Sequence, residues 1–292
     1  MKDSLENKSS QNQLSPFDQK KVVVKNLNIS NELPFTFIGG PCQIESRDHA
    51  LKMADFISKL CAKNDIPFIF KASFDKANRT SVKGIRGIGM EKAIAVFEEI
   101  KKEFGCPVLT DIHNEEQCKH MGAVVDVLQV PAFLCRQTDL LEAACTYGKC
   151  VNVKKGQFLS PSDMQNVTDK CSHFKNENIL LTERGSCFGY NNLIVDMTGL
   201  PILTQTGCPI IIDATHAVQK PGGKGTSSGG NRDMAMIIAK AAIASGPIGG
   251  VFCEVHDDPD NAFSDGPNSL NFPMLEKLLP TLKKIDGIVK EL

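Results

Sequence analysis

Four residues that are far apart in the chain carry side chains that bind divalent metals well. They supply a thiolate, an imidazole and two carboxylates, from Cys42, His216, Glu254 and Asp265. Zn, Fe(II) and Mn all accept such a mixed sulfur, nitrogen and oxygen set, so the residues leave the metal's identity open. His256 shares a strand face with Glu254 by alternation, and it is either a competing ligand or an outer group. A cysteine after Gly-Gly-Pro is, taken alone, more typical of a turn.

A second set of side chains is cationic and predicts a site for anions. Three members end apolar runs and two lie in one loop: Lys71, Lys154 and Arg184, then Lys76 and Arg79. Burying several like charges together is costly unless anions balance them. Arginine suits bidentate recognition of phosphate. The set therefore predicts a substrate that carries carboxylate and phosphate groups.

Other polar residues near the ends of apolar runs are further candidates. Asp111 and His113 share a strand face, where they either orient water or a hydroxyl or form a structural pair. Gln129 and Gln157 are predicted polar contacts for a substrate. Arg136 is positioned to reach either a phosphate or a neighbouring subunit.

Eight short apolar runs position these residues. They span residues 35–42, 66–73, 106–113, 124–133, 150–155, 179–185, 209–216 and 249–256. Apolar runs bounded by turn or polar residues are typical of parallel strands buried on both faces. Eight of them, separated mostly by helical patterns, predict an α/β protein with a (β/α)8 TIM barrel, whose chemistry lies at the carboxyl ends of its strands. Closure would make the first, seventh and eighth strands neighbours and so gather Cys42, His216 and Glu254.

The remaining segments predict the elements around the barrel. Residues 21–29 predict an N-terminal β-hairpin at the barrel's amino end, and helices are expected at residues 48–64, 89–104, 114–121, 138–147, 161–171, 231–245 and 272–292. Pro280 is expected to interrupt the last helix. The long segments 73–89 and 218–230 are candidate lids.

Composition limits the class of protein. The chain has 292 residues and a net charge of −1, which gives no electrostatic case for binding nucleic acid, and no apolar run is long enough to span a membrane. Residues 1–20 read as a disordered polar tail without a signal sequence, and residues 21–292 as one catalytic domain. The 11 scattered cysteines favour reduced thiols in a cytoplasmic protein over a disulfide framework.

Longer motifs resemble the 3-deoxy-D-manno-octulosonate 8-phosphate synthase family. They are GGPCQIES at 39–46, KASFDKANRTS at 71–81, PAFLCRQTD at 131–139, NVKKGQF at 152–158, ERGSCFGYN at 183–191 and DATHAVQ at 213–219. The resemblance runs from about residue 21 to the carboxyl terminus. It implies a cytoplasmic TIM-barrel transferase, usually a homotetramer, on the route either to the lipopolysaccharide core (lipopolysaccharide biosynthesis) or to the plant cell-wall sugar. This family condenses phosphoenolpyruvate with D-arabinose 5-phosphate and water, releasing phosphate.

The resemblance also implies roles for individual residues. Phosphoenolpyruvate would bind to Lys71, Lys76, Lys154 and Arg184. Arabinose 5-phosphate would bind to Asn78, Arg79 and Thr80, with Arg136 reaching in from an adjacent subunit and Ser73 as a further substrate contact. Apart from the resemblance, Asp111, His113 and Asp265 are candidates for proton transfer, and His216 is either a general base or a hydrogen-bonded strand cap.

The family divides into metal-dependent and metal-independent classes, with Cys or Asn at the position of Cys42. Cys42 and the QKPGG segment at 219–223 match the metal-dependent pattern, which implies the ligand set Cys42, His216, Glu254 and Asp265. The SDGP segment at 264–267 is instead similar to many metal-independent members. In such a site the metal would either polarise the aldehyde or activate the attacking water.

Three alternative functions share parts of these patterns. A heptulosonate 7-phosphate synthase, which uses erythrose 4-phosphate, typically has KPRT where this chain has KANRT at 76–80, so the extra residue favours the longer sugar. A Schiff-base aldolase would use Lys71 or Lys154, and Lys155 lies next to the latter. A barrel retained only as a binding protein is the third alternative.

Overall fold

Eight parallel strands close into a barrel in the computed structural model, which describes residues 19–79, 81–220 and 229–291. The strands are β1 Val22–Val24, β2 Leu27–Ile29, β3 Thr36–Gly40, β4 Phe68–Lys71, β5 Val108–Asp111, β6 Val127–Val130, β7 Val151–Lys154, β8 Ile179–Glu183, β9 Ser186–Cys187, β10 Leu193–Ile194, β11 Ile210–Asp213 and β12 Gly250–Glu254. The barrel order is β3 to β8, then β11 and β12, and β12 pairs with β3. The predicted TIM barrel is confirmed.

Helices surround the barrel. They are α1 Arg47–Lys63, α2 Met90–Phe104, α3 Glu115–Val124, α4 Thr138–Tyr147, α5 Met164–His173, α6 Gly199–Thr204, α7 Ala214–Ala217, α8 Arg232–Ala244 and α9 Phe272–Lys290. The seven predicted helices are present with ends shifted by a few residues. The short helices α6 and α7 and the β9–β10 hairpin were not predicted, because elements of two to six residues have too few positions to show a period. Among the residues described, no helix is long and apolar enough to cross a membrane.

An apolar cluster fills the amino-terminal half of the barrel. Seven barrel strands each contribute one residue to the cluster, and the eighth member, Cys150, directly precedes β7. The eight residues are Ile38, Ile69, Leu109, Val127, Cys150, Leu180, Ile211 and Phe252. Val22, Val24 and Ile29 of the antiparallel β1–β2 hairpin pack onto this cluster. The predicted N-terminal hairpin is therefore confirmed, and it closes the end of the barrel opposite the chemistry.

Helix α9 is continuous, so the expectation that Pro280 would interrupt it was wrong. One face of α9 buries Leu275, Leu278, Leu279 and Leu282. Each buried leucine contributes about 1.5–3 kcal/mol, whereas an internal proline costs about 3 kcal/mol. Packing of this face therefore outweighs the missing backbone hydrogen bond.

Gly40 is required where β3 passes β4. A Cβ atom at Gly40 would lie 2.0 Å from the carbonyl oxygen of Lys71, which is backbone and cannot rotate away. We expect Gly40→Ala to lower the free energy of unfolding by about 1–3 kcal/mol or more, measured by urea denaturation. Gly287→Ala is the matched control, because nothing lies within 4 Å of that position on α9. It should raise stability by about 0.5–1 kcal/mol, and equal stabilities of the two variants would contradict the argument.

Candidate functional site

A cavity of about 1160 Å³ opens at the carboxyl end of the barrel. Its floor is polar because the strand residues that follow the apolar layer on the inward face are charged or amide side chains. Those at the ends of strands, or just beyond them, are Lys71, Asp111, Gln129, Lys154, Arg184, His216 and Glu254. The catalytic sites of TIM-barrel enzymes lie at this end of the fold.

Barrel closure brings the four predicted metal ligands together. The Cys42 thiol donates to Asp265 Oδ2 at 3.1 Å, and the same oxygen lies 3.5 Å from His216 Nε2. His216 Nε2 is 3.7 Å from Glu254 Oε1, while Glu254 Oε2 is buried without a hydrogen-bond partner. Ligands of a tetrahedral zinc ion at about 2.0–2.3 Å lie at comparable distances from one another. The donor set therefore fits a divalent transition metal.

Asp213 orients His216. Its carboxylate Oδ2 lies 2.7 Å from His216 Nδ1, which leaves Nε2 to face Glu254 and Asp265. Metal-binding histidines usually make such a contact through their second nitrogen. Asp213 was not among the predicted site residues, although it ends β11 on the same face as Ile211 and the alternation of that strand indicates it.

The backbone of Asp265 is in the left-handed region, with φ of 52°. Few residues other than glycine adopt it, and aspartate tolerates it better than most. The Asp265 carbonyl accepts hydrogen bonds from the amides of Asn268 and Ser269, both at 3.0 Å, which stabilise this turn. Asp265 belongs to a loop, and this backbone conformation and its contacts with Cys42 and His216 distinguish it from the neighbouring acidic residues.

The Cys42 thiol is protonated in the absence of a metal. Burial raises its pKa to about 12, with Lys76 opposing the shift and Asp265 and Glu254 adding to it. A bound cation deprotonates a coordinating thiol, so metal uptake here must release a proton.

Three lysines balance the carboxylates of the cavity. Lys71 is buried and donates to Glu254 Oε1 at 2.7 Å, and Lys154 is paired with Asp213. Burial lowers the pKa of Lys154, although Asp213 counteracts it. Burial also acts to lower the pKa of Lys76, but the net shift is upward because Cys42 and then the carboxylates of Asp111, Glu254 and Asp265 act in the opposite direction. All three lysines line the cavity, as the anion-site hypothesis requires.

One nitrogen of the Arg184 guanidinium has no hydrogen-bond acceptor in the protein. Its side chain is almost fully buried, Nη2 donates to Gln219 Oε1 at 3.3 Å, and Nη1 is buried without a partner. Burial lowers its pKa, with Asp213 and Asp265 opposing. A guanidinium held in this way binds an anion strongly, because an unpaired buried N–H is costly. Polar atoms that are also unpartnered and buried belong to Ser73, Asp111 and Gln157.

A chain of hydrogen bonds orients Gln129. Thr182 Oγ1 donates to Asn152 Oδ1 at 2.6 Å, and Asn152 Nδ2 donates to Gln129 Oε1 at 3.1 Å. All three side chains are buried, so the amide of Gln129 is held in one orientation at the cavity.

The remaining predicted residues lie in loops. Asn78 is exposed on the cavity rim, whereas Arg79 donates to Gln43 Oε1 at 2.7 Å and Ser264 Oγ at 2.9 Å. Arg136 is exposed and does not line the cavity of its own chain. Thr80, most of the predicted tail and the centre of the 218–230 lid candidate lie outside the described residues.

Two residues left open by the sequence point away from the metal ligands. Lys155 is buried and donates to Leu159 O at 3.1 Å and Ser186 Oγ at 3.0 Å, so it holds the loops after β7 and β8. His256 packs against Glu45, whose Oε1 lies 3.2 Å from its Nε2. His256 is therefore separate from the Cys42 ligand set.

Asp111 and His113 form a pair that should respond to pH. His113 Nε2 is 3.1 Å from Asp111 Oδ2, and Nδ1 is 3.0 Å from Gln117 Oε1. Burial acts to lower the pKa of His113, but the hydrogen bond and charge of Asp111 outweigh it and the pKa is raised. The charged imidazole therefore contributes stability that is fully present below about pH 6.5 and is lost as the pH rises through the raised pKa.

We expect the difference in free energy of unfolding between the wild type and His113→Gln to decrease as the pH rises above about 6.5. Urea denaturation at a series of pH values measures this difference. His120→Gln, on the exposed surface of α3, is the control. A difference for His113→Gln that stays constant with pH would contradict the assignment.

The fold and the site define a TIM-barrel enzyme that acts on anionic substrates. Residues 11–291 match the model of the DAHP synthetase I family. The chain belongs to this family.

Similar curated proteins narrow the class. Proteins named 2-dehydro-3-deoxyphosphooctonate aldolase from Rickettsia bellii and Rickettsia prowazekii are each 57% identical over 94% of this chain and 99% of their own length. One of the same name from Bartonella quintana is 57% identical over 92% of this chain and 97% of its own. The family resemblance found in the sequence motifs is confirmed.

Proposed function

We propose that the chain condenses phosphoenolpyruvate with D-arabinose 5-phosphate and water to give 3-deoxy-D-manno-octulosonate 8-phosphate and phosphate, a step of lipopolysaccharide biosynthesis. The buried guanidinium of Arg184, whose Nη1 has no partner and which lines one cavity with Lys154, His216 and Glu254, carries the proposal. The relatives named 2-dehydro-3-deoxyphosphooctonate aldolase support it.

The cations that line the cavity bind phosphoenolpyruvate. Arg184 offers Nη1 to a phosphate or carboxylate oxygen, while Lys154 at the end of the neighbouring strand β7 and Lys76 in the loop after β4 add positive charge. Asn78 and Arg79 on the rim bind the phosphate of the sugar. Holding two anions in contact geometry converts an encounter in solution into a reaction within one complex, which is worth several kcal/mol.

The reaction forms a carbon–carbon bond and breaks a carbon–oxygen bond. C3 of phosphoenolpyruvate attacks the sugar aldehyde, water adds to C2, and phosphate leaves with the bridging oxygen. The attacking water loses both protons as C2 becomes a carbonyl: one is taken up by the alkoxide that forms from the aldehyde, and the other leaves with the phosphate. His113 holds a proton between Asp111 and Gln117 at the cavity wall, and Asp111 and Asp265 are carboxylates that can accept one.

Cys42, His216, Glu254 and Asp265 would hold a divalent metal, Zn, Fe or Mn. When bound, the metal supplies Lewis acidity for the aldehyde oxygen or for the water. The protein contributes the orientation of His216 through Asp213, and it buries the side chain of Glu254 completely.

A phosphate-release assay with different aldose phosphates tests the function. Arabinose 5-phosphate should support turnover with phosphoenolpyruvate, and erythrose 4-phosphate should support far less. The reverse preference would favour the heptulosonate alternative, which the names of the relatives already disfavour. Borohydride should trap no adduct, because Lys71 and Lys154 are paired with carboxylates and Lys155 faces away from the cavity.

A homotetramer would complete the site. Arg136 is exposed beside Phe133, which is 58% exposed, and Phe158 on the next loop is 60% exposed. Exposed aromatic rings near a cavity mouth are typical of subunit interfaces. Arg136 would then reach the sugar phosphate in a neighbouring subunit. Mixing Arg136→Ala with Arg184→Ala subunits should restore part of the activity; no recovery after verified subunit exchange would argue against this arrangement.

The cysteines support a cytoplasmic location. All 11 are free thiols and ten of them are buried, so the fold does not depend on disulfides. Such a protein suits a reducing compartment.

A further inference from the structure

A second group of potential metal ligands lies where the first and last barrel strands meet. Glu45 follows β3, His49 is in the first turn of α1, and His256 follows β12. One ligand atom from each lies within 4.8 Å of the others. None of the three belongs to the Cys42 ligand set.

The contacts in this group leave one nitrogen without a partner. His256 Nδ1 accepts the amide of Asp258 at 3.0 Å, so its Nε2 carries the proton and donates to Glu45 Oε1 at 3.2 Å. His49 Nε2 contacts Asp257 Oδ1 at 2.9 Å, and His49 Nδ1 is buried without a hydrogen-bond partner. The two imidazole rings lie 4.5 Å apart. A buried acceptor without a donor is unfavourable, and a cation would satisfy it.

Asp257 is placed to hydrogen-bond the ring nitrogens of the two histidines that would not bind the metal. Its Oδ1 lies 2.9 Å from His49 Nε2 and 3.3 Å from His256 Nδ1, so it can accept from the outer nitrogens of both rings. Glu45 and Asp257 bring two negative charges to the group, and Lys52 returns one through its ion pair with Asp257 at 2.6 Å. The residual charge is negative and favours a dication.

We propose that Glu45, His49 and His256 form a second divalent-metal site that takes Zn²⁺. Two imidazoles and one carboxylate are a common zinc donor set, and a water would complete the tetrahedron. Metal binding at His256 Nε2 moves the imidazole proton to Nδ1. Nδ1 then donates to Asp257 Oδ1 and no longer accepts the Asp258 amide. Ligand separations of about 3.3 Å are needed, so the side chains must close by at most about 1.5 Å.

This ion would have a structural role. It would link the β3–α1 connection to the end of β12, which are the elements that close the barrel. Glu45 Oε1 also accepts the amide of Phe263 at 2.8 Å, two residues before Asp265. An ion here would therefore stiffen the loop that positions Asp265.

Titration of the metal-free full-length protein with Co²⁺ tests the proposal, since Co²⁺ reports its ligands in its absorption spectrum. Wild type should bind two equivalents per chain, one with a sulfur-to-cobalt charge-transfer band from Cys42 and one without. His49→Ala should bind one equivalent and keep that band, whereas His120→Ala, a surface control, should bind two. Stoichiometry of one in the wild type, or of two in His49→Ala, would overturn the proposal.

Thermal unfolding gives a second readout that does not depend on activity. Zn²⁺ should raise the Tm of His120→Ala more than that of His49→Ala, because a ligand that binds only the folded state stabilises it. His49→Gln repeats the comparison if the alanine variant folds poorly, since glutamine keeps a polar group near Asp257. Equal Zn²⁺-induced shifts in the His49 variants and the control would also overturn the site.

Discussion

Cys42→Ala should reduce metal-stimulated turnover by about 10³-fold, to the rate that the wild type has in the presence of a chelator. Cys42 is buried, and its thiol contacts Asp265 in the set that includes His216 and Glu254. Lewis-acid stabilisation of developing charge is worth several kcal/mol, and each 1.36 kcal/mol is a factor of ten in rate. Phosphate release at saturating substrates, with metal content measured on the same samples, tests this prediction.

A matched variant separates loss of the ligand from loss of a buried thiol. Cys150 is also completely buried, but it lies in the apolar cluster at the opposite end of the barrel. Cys150→Ala should therefore keep its metal and its activity. Full activity of Cys42→Ala in the presence of chelator would contradict the metal assignment.

Cys42→Asn tests why the sequence combines motifs of the metal-dependent and the metal-independent classes. The SDGP segment at 264–267 resembles metal-independent relatives, so an amide at position 42 should permit some chelator-resistant turnover. If Cys42→Asn and Cys42→Ala are equally inactive with chelator, the segment carries no such capacity.

Arg184→Ala should lower kcat/KM for phosphoenolpyruvate by about 10²- to 10³-fold. Arg184 is buried and its Nη1 has no protein partner, so its removal would leave the substrate anion without this donor and without the guanidinium charge. Removing one member of a buried charged pair costs about 2–5 kcal/mol. Steady-state kinetics with varied phosphoenolpyruvate measures the effect.

Two further variants make this result specific. Arg184→Lys keeps the charge but loses the planar fork, so its kcat/KM should lie between those of the wild type and Arg184→Ala. Arg47→Ala removes an exposed arginine paired with Glu99 on the outer surface, and its kinetics should be unchanged. A wild-type kcat/KM in Arg184→Ala would exclude Arg184 from the anion site.

Most of the fold could be predicted because it depends on local patterns. The strand β11 (Ile210–Asp213) and the helix α4 (Thr138–Tyr147) are recognisable from apolar runs and spacing within a few residues. Pro280 shows the limit of such reasoning, since the helix around it is held by leucines that pack against the rest of the protein. Local propensity carries no information about that packing.

The sequence predicted which residues belong to the candidate site better than it predicted the contacts between their side chains. Strand ends and motif resemblance selected Lys154 and His216, but not Asp213, which contacts both. Lys155 shows the opposite case. Its neighbour Lys154 lines the cavity, whereas the buried side chain of Lys155 contacts Leu159 and Ser186 outside the cavity. Strand alternation settles such cases only once the register is known.

The sequence by itself determined the barrel, the cations, the candidate ligands and the family. The tertiary structure alone decided which side chains touch: that Cys42 meets Asp265 across 223 positions, and that His256 turns from Glu254 towards Glu45. The physical reason is that chemistry depends on distances of about 3 Å, whereas sequence patterns specify only the face of an element on which a residue lies. Closure of the barrel, and the turn in which Asp265 has a φ of 52°, bring residues on those faces within contact distance of one another.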